Sequence, residues 1–293
     1  MVTKSYLTAI YSTVLHYATK PARLFTTTLA ILIPLQAFLF TPAAVLANEL
    51  PHKFEANYKL EMYGITLAKA THKLEQTEKG LSMEVYTYPV GLFAFLYDGH
   101  VDIHSDIAKD NGQLLLVNHD YTHSEDAEDT TVRYQIDWLN DQEKGPAGNV
   151  TGEYKGETLN INSDEPVWDP LSIQALIIIN ADKESASYKH GLLMKGELKH
   201  YLFENLGKET INFNGTDMTA LKTLIKEAER DRIIYVWMLP EYHNIPVKYE
   251  HWKDGDLRST ILLQSVTFEN DGKTNTLTLV DSTDDDIFDD EDW

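Results

Sequence analysis

Aspartate and histidine alternate with other residues along one short segment of the chain. The alternating positions are Asp98, His100, Asp102, His104 and Asp106. In an extended strand, every second side chain points to the same face of the sheet. Imidazole nitrogens and carboxylate oxygens are ligands of zinc and copper in proteins. The segment therefore raises the hypothesis of a divalent metal site on one face of a sheet.

Two more histidines follow the next turn of the chain. Asn111-Gly112 is a dipeptide typical of two-residue hairpin turns. If Asp110 pairs with Gln113 across that turn, the histidines of the two strands face each other in two pairs, His104 with His119 and His100 with His123. Cross-strand neighbours stand close enough for two imidazoles to share one metal ion. We therefore predict a metal site formed by His100, His104, His119 and His123.

A second interpretation of the same segment stays open. Strands at the surface of antiparallel sheets commonly alternate polar and apolar residues, so the pattern also fits a solvated strand face. A register shift of one residue would move each of these side chains to the other face. Apart from a divalent metal, we expect no cofactor. The chain contains no cysteine, and it lacks a nucleophile elbow, a phosphate-binding loop and a dinucleotide fingerprint.

An apolar run from Val90 to Tyr97 is a candidate for a different kind of site. It is apolar on both faces of a strand, which indicates either a fully buried strand or the wall of an apolar cavity. If it is a cavity wall, its aromatic side chains contact the ligand. The predicted ligand-binding residues are therefore Phe93, Phe95 and Tyr97.

The elements that must position these residues are mostly strands. Alternating apolar and polar residues between turn signals recur along the chain, as is typical of antiparallel β structure. The first example runs from Phe54 to Met62. The segment from Asp169 to Ile179 differs, because aspartate is a good N-cap and Pro170 suits the first helical position. We predict one largely buried helix there, within a single β domain of residues 48–270.

The first 47 residues have the three parts of a secretory signal peptide. A basic start without acidic residues leads into an apolar run from Leu24 to Phe40, and Val45 and Ala47 supply the small residues that signal peptidase recognises. The run is too short and too interrupted for a membrane span. We predict cleavage after Ala47, a location in the periplasm, and no integral membrane insertion after cleavage. An uncleaved N-terminal anchor is the alternative.

The chain is strongly acidic, with a formal net charge of −21. Such a charge repels nucleic acid, so we expect no nucleic-acid partner. Acidic residues crowd the last thirteen positions, 281–293. A segment of this composition buries too little apolar surface to offset the entropy of ordering. We predict that residues 281–293 form a disordered acidic tail, which either solubilises the protein or contacts a basic partner.

Short motifs rich in aromatic, glycine and proline residues run through the chain. They are Phe54-x-Ala56-x-Tyr58, Tyr63-Gly64, Tyr134-x-Ile136-Asp137-Trp138, Asp169-Pro170-Leu171-Ser172, Tyr201 to Glu209, Trp237-Met238-Leu239-Pro240 and Ile245-Pro246-Val247-Lys248-Tyr249. Together they resemble the bacterial exported family called domain of unknown function 3108. The resemblance implies a mainly β protein, with an antiparallel, strongly curved sheet or half-barrel and one or two short helices, similar to periplasmic lipoprotein carriers. It implies no reaction and no catalytic residues.

Different classes of function fit these features. The first is a non-enzymatic periplasmic protein that binds an apolar or amphipathic envelope ligand, such as a lipid, or an envelope protein in the concavity of its sheet. The second is an enzyme acting on envelope polysaccharide or on an ester, with or without a metal. A third is an interaction protein that uses its acidic tail. A large internal pocket favours the first class, and convergent titratable groups in a concave site favour the second.

Overall fold

The computed structural model describes residues 50–110, 112–124, 130–141, 145–183, 187–213, 215–227, 232–270 and 272–279. The strands of the first half are β1 (Lys53–Met62), β2 (Ile65–Thr77), β3 (Gly80–Pro89), β4 (His100–Asp110), β5 (Gln113–Ser124), β6 (Thr130–Asp141), β7 (Gly145–Tyr154) and β8 (Glu157–Ser163). Those of the second half are β9 (Val167–Trp168), β10 (Ser187–Met194), β11 (Glu197–Phe213), β12 (Thr216–Glu227), β13 (Arg232–Leu239), β14 (Ile245–Lys253), β15 (Asp256–Asn270) and β16 (Lys273–Thr278). Two α-helices are α1 (Leu92–Leu96) and α2 (Ile173–Asn180), and a 3-10 turn covers Pro240–Tyr242.

All the described strands belong to one strongly curved, nearly closed sheet. The first half forms a meander from β1 to β8, and the second half returns from β9 to β15. Pairing of β1 with β15 joins the two halves, and β16 adds to β15. Neighbouring strands are antiparallel, except that β9 and β10 are parallel. The prediction of a mainly β, antiparallel, curved sheet is confirmed. The sheet continues to Thr278, beyond the predicted domain limit at residue 270.

Alternation along the strands decides which side chains fill the barrel. In β1, Phe54, Ala56, Tyr58 and Leu60 are buried, whereas the intervening side chains lie on the outer face. This is the apolar face that the sequence pattern predicts. Between Asn57 and Tyr58 of β1, the pairing on β15 steps from Ser265 to Leu263, so Gln264 forms a β-bulge in β15. Bulges bend a strand and increase its twist. Bulges of this kind help the sheet to curve around its core.

The two ends of the curved sheet overlap where they meet. On β10, Leu192 packs into the main core, whereas the adjacent Leu193 points the other way and packs into a second apolar cluster with residues of β6 and β7. The second cluster includes Tyr134, whose hydroxyl accepts a hydrogen bond from the Gly196 N–H at 2.9 Å. Side-chain packing therefore covers the seam between the two edges of the sheet.

Helix α2 lies inside the barrel. Ile173, Ala175, Ile177 and Ile178 are buried, as expected for a helix that is apolar on most sides. The prediction of a buried helix after Asp169 is confirmed, although turns precede the helix and it begins at Ile173.

Polar side chains hold both ends of α2. At its start, Asp169 Oδ1 accepts hydrogen bonds from the N–H groups of Leu171 and Ser172 at 2.7 and 3.2 Å. At its end, the side-chain amide of Asn205 donates to the Asn180 carbonyl at 2.9 Å. These bonds satisfy backbone groups that a helix cannot pair internally.

The apolar run from Val90 to Tyr97 is neither a buried strand nor a cavity wall. It forms α1, a single turn of helix between β3 and β4, and Phe95 is 88% exposed. Gly91, with φ 58° and ψ −139°, has a backbone conformation that residues with a Cβ rarely adopt. The chain therefore leaves the sheet at this glycine. Within the described ranges, no helix has the length and apolarity needed to cross a membrane. The predicted signal peptide, 1–47, and acidic tail, 281–293, lie outside the described residues.

Candidate functional site

The β4–β5 hairpin has a different register from the one predicted. Asp110 pairs with Gln113 as expected, but the pairing shifts by one residue between Asp106 and Ile107. From there on, His104 lies opposite Asp120 and not opposite His119. The predicted pairing of histidines is therefore wrong, because a β-bulge adds one residue to one strand.

The bulge divides the four histidines between the two faces of the sheet. His100 and His104 lie on the outer face, where their Nε2 atoms stand 3.2 Å from carboxylate oxygens of Asp102 and Asp106. His119 faces inward, paired with Ser105, and His123 faces inward, paired with Val101. Among the described residues, no group of three or more His, Asp or Glu side chains is arranged to hold a metal ion. The outer part of the pattern has the geometry of a solvated strand face.

His119 belongs to a buried polar cluster that the sequence pattern does not reveal. Its Nδ1 lies 3.1 Å from Ser105 Oγ and 3.3 Å from Asp169 Oδ1, and its ring stacks on Tyr134. Burial alone raises the pKa of a carboxyl group. The His119 ring and the hydrogen bonds of the helix-start turn outweigh burial and lower the pKa of Asp169 to about 2. The cluster therefore ties the β4–β5 hairpin to the start of α2.

The cluster contains serine, histidine and aspartate but lacks the geometry of a catalytic triad. In a triad, the serine and the carboxylate bind opposite nitrogens of the imidazole, so that the ring can pass a proton between them. Here Ser105 and Asp169 both approach Nδ1 of His119. Ser105 and Asp169 are also fully buried. The arrangement supports the fold and offers no path for a nucleophilic serine to reach a substrate.

The interior of the barrel contains a cavity of about 150 Å³. Its wall comes from strands on both halves of the sheet and from α2. Apolar side chains make up most of this wall, and they include Leu60, Val85, Val101, Ile177, Ile225, Ile234 and Ile261. An apolar wall favours a ligand that is itself largely hydrocarbon.

A few polar groups also face the cavity. Tyr249 Oη lies 3.3 Å from Gln174 Oε1, and His72 is also hydrogen-bonded to Gln174. Tyr58 donates its hydroxyl proton to the Pro246 carbonyl at 2.9 Å. Cavities that bind ligands typically combine an apolar wall with a small number of such polar groups.

Burial keeps both cavity histidines neutral. Desolvation lowers the pKa of His72 to about 4 and that of His251 to about 4. Desolvation also raises the pKa of Tyr58. At neutral pH, these groups can donate and accept hydrogen bonds without adding charge to the cavity.

Strand register places the cavity toward one end of the barrel. Leu60 and Thr87 each lie two residues before the end of their strands, and Val101 lies one residue after the start of β4. This is the end that carries the turn Tyr63-Gly64, and we call it the β1–β2 end. At the opposite end, Asn244 donates from Nδ2 to the Ile178 carbonyl of α2 at 3.0 Å. Helix α2 therefore lies between the cavity and the opposite end.

The predicted ligand-binding residues lie outside the cavity. Phe93 and Phe95 are on α1, and Tyr97 follows it, where the tyrosine hydroxyl contacts His123 Nε2. None of the three lines the cavity wall. The residues that line the cavity come from α2 and from strands far apart in sequence. The local sequence pattern could have shown only that these strand residues face inward, and not that they meet around one cavity.

No protein-family model matches the chain, and no curated protein matches it. Among solved structures, it is similar to a Bacteroides fragilis protein described as a putative exported protein with a YmcC-like fold. The two chains are 10% identical, and the match covers 77% of this chain and 96% of the other, with a TM-score of 0.28. Likeness at that level supports no argument about function.

Proposed function

We propose that this is an exported, periplasmic protein that binds the hydrocarbon part of an apolar or amphipathic envelope ligand inside its barrel. The observation that carries the proposal is the apolar cavity between the sheet and α2. Its wall holds neutral histidine and tyrosine groups and no Asp, Glu, Lys or Arg side chain among the described residues. Such a wall favours hydrocarbon over sugar or nucleotide, which need many polar partners.

The volume of the cavity limits what it can enclose. Sites for drug-sized ligands measure roughly 300–1,000 Å³, whereas this cavity measures about 150 Å³. The cavity therefore accommodates a short hydrocarbon chain or a small ring. The polar end of an amphipathic ligand stays at the mouth, near the β1–β2 end, where water can solvate it.

Features of the sequence support the location and the family. Residues 1–47 have the basic, apolar and small-residue parts of a cleavable signal peptide. The aromatic, glycine and proline motifs resemble those of domain of unknown function 3108, an exported family. Membership of that family and cleavage after Ala47 are parts of this proposal.

Calorimetric titration with hexanoic acid, whose chain matches the volume of the cavity, tests the proposal. Ala70 lines the cavity, whereas the next residue, Thr71, lies on the outer face of β2. We expect the wild-type protein and a Thr71→Phe variant to bind the acid, and an Ala70→Phe variant, whose ring fills the cavity, to bind at least about tenfold more weakly. Equal binding by the two variants, or no binding by the wild type, would contradict the proposal. Thermal unfolding of each variant verifies that the fold is intact.

A further inference from the structure

Large apolar side chains are exposed together at the β1–β2 end of the barrel. We call them the rim patch, and they are Tyr63, Ile65, Leu92, Phe95 and Leu96, exposed by 78, 61, 74, 88 and 71%. Contiguous exposed apolar surface of this kind commonly marks a site of contact with a membrane or another protein.

Backbone contacts bring the two parts of the rim patch together. The first part is the turn between β1 and β2, and the second is α1. Beyond the last sheet pair, Ala68 with Pro89, the Val90 N–H donates to the Leu67 carbonyl at 3.1 Å. The chain therefore enters α1 alongside the start of β2. Contact of Tyr97 with His123 then fixes the end of α1 to β5, two residues from the cavity-lining Tyr121.

The residues of the rim patch belong to two segments that contain no charged side chain. Residues 62–68 and 85–97 contain no Asp, Glu, Lys or Arg, although charged residues make up 24% of the chain. A net charge of −21 opposes contact with any anionic surface through the rest of the protein. The rim patch can enter the interface of a bilayer without desolvating a charge.

The chemistry of the rim patch also fits the interface of a bilayer. Leucine and phenylalanine side chains insert among the upper acyl groups, and tyrosine places its ring at the level of the head groups. Gly91 matters here because its backbone conformation turns α1 away from the sheet. Packed against the barrel wall, the same leucines would be unavailable.

We propose that the rim patch docks the barrel on the surface of a lipid bilayer, with the cavity mouth facing the acyl chains. The inference rests on the proposed function, because it gives the cavity a hydrocarbon source. A ligand chain then passes from the bilayer into the barrel without crossing bulk water. Transfer along this route avoids the cost of hydrating the chain.

Co-sedimentation of the purified protein with phosphatidylcholine vesicles tests the docking. A Leu92→Ser, Leu96→Ser variant removes two leucines of the rim patch, and a Leu139→Ser, Leu206→Ser variant removes two exposed leucines elsewhere. We expect the wild type and the second variant to bind vesicles, and the first to bind at least about tenfold more weakly. Adding phosphatidylglycerol to the vesicles weakens binding at low salt, because the protein and the lipid are then both anionic.

The outcomes of the vesicle-binding and acid-binding experiments distinguish the docking from the cavity function. Equal vesicle binding by both variants, or no binding by the wild type, overturns the docking. A third outcome is that the protein does not bind vesicles but associates with itself as its concentration rises, and that only the first variant loses this association. The rim patch then binds a second copy of the chain, and the docking on a bilayer is overturned. If the protein binds vesicles through the rim patch but does not bind hexanoic acid, the docking is supported and the proposed cavity function is removed. If the protein binds hexanoic acid but not vesicles, the cavity function is supported and the docking is overturned.

Discussion

The rings of Tyr58 and His72 pack against each other in the barrel interior, with centroids 4.7 Å apart and planes tilted by 52°. They come from neighbouring strands, and both face the same cavity. The Tyr58 hydroxyl donates a hydrogen bond to the Pro246 carbonyl, and the His72 side chain is hydrogen-bonded to Gln174 of α2. Hydrogen bonds on both sides of this ring pair thus hold the cavity wall in place.

The first prediction concerns stability in mild acid. His72 and His251 have a pKa of about 4 in the fold, and histidine in an unfolded chain has a pKa of about 6.5. The unfolded state therefore takes up protons first as pH falls. The stability that the neutral rings contribute is complete above about pH 6.5 and is lost progressively down to about pH 4.

Urea unfolding at pH 7 and pH 5 measures this loss. We expect the two histidines together to lower the free energy of unfolding by a few kcal/mol, on the order of 2 kcal/mol each. A His72→Gln, His251→Gln variant should have a flatter pH dependence, whereas a His100→Ala, His104→Ala variant on the outer face should keep it. If the wild-type free energy of unfolding is equal at the two pH values, the histidines are not buried in neutral form.

A second prediction concerns the buried carboxylate at the start of α2. Asp169→Asn removes the charge beside His119 and weakens the hydrogen bonds to the helix-start turn. We expect it to lower the free energy of unfolding by roughly 2–4 kcal/mol at pH 7. The exposed Asp164→Asn change, five residues earlier, should alter it by less than about 0.5 kcal/mol. A small effect at Asp169 would show that the carboxylate carries little of the contact between hairpin and helix.

A third prediction concerns metal binding by the β4–β5 hairpin. Because His100 and His123 lie on opposite faces of the sheet, they cannot share an ion. We expect a His100→Ala, His123→Ala variant to bind zinc as tightly as the wild type in a calorimetric titration at pH 7.5. A tenfold or greater loss of zinc affinity in that variant would mean that the hairpin has a different register when metal is present.

Local pattern predicted the parts of the fold that depend on local chemistry. Alternation in β1 identified its inner face, and the Asp169-Pro170 pair identified the buried helix, because both signals depend on near neighbours in sequence. The bulge in the β4–β5 pairing next to Asp106 could not be predicted in this way. It shifted the register by one residue, so that the histidines of the two strands do not face each other. The run from Val90 to Tyr97 was misinterpreted because apolarity on all sides does not distinguish burial from exposure. The cavity depends on strands from both halves of the sheet, which only tertiary structure brings together.

The overlapping seam affects how large a guest the barrel can hold. In the main strand order of the described sheet, β8 and β9 are the two terminal strands, and no backbone ladder joins them. The girth of the barrel is therefore set by side chains such as Leu193 packing against the opposite layer. Sliding one layer over the other would widen the barrel without breaking a ladder of hydrogen bonds between β8 and β9. We therefore expect a guest larger than the resting cavity to be admitted only at the expense of apolar contact along one edge.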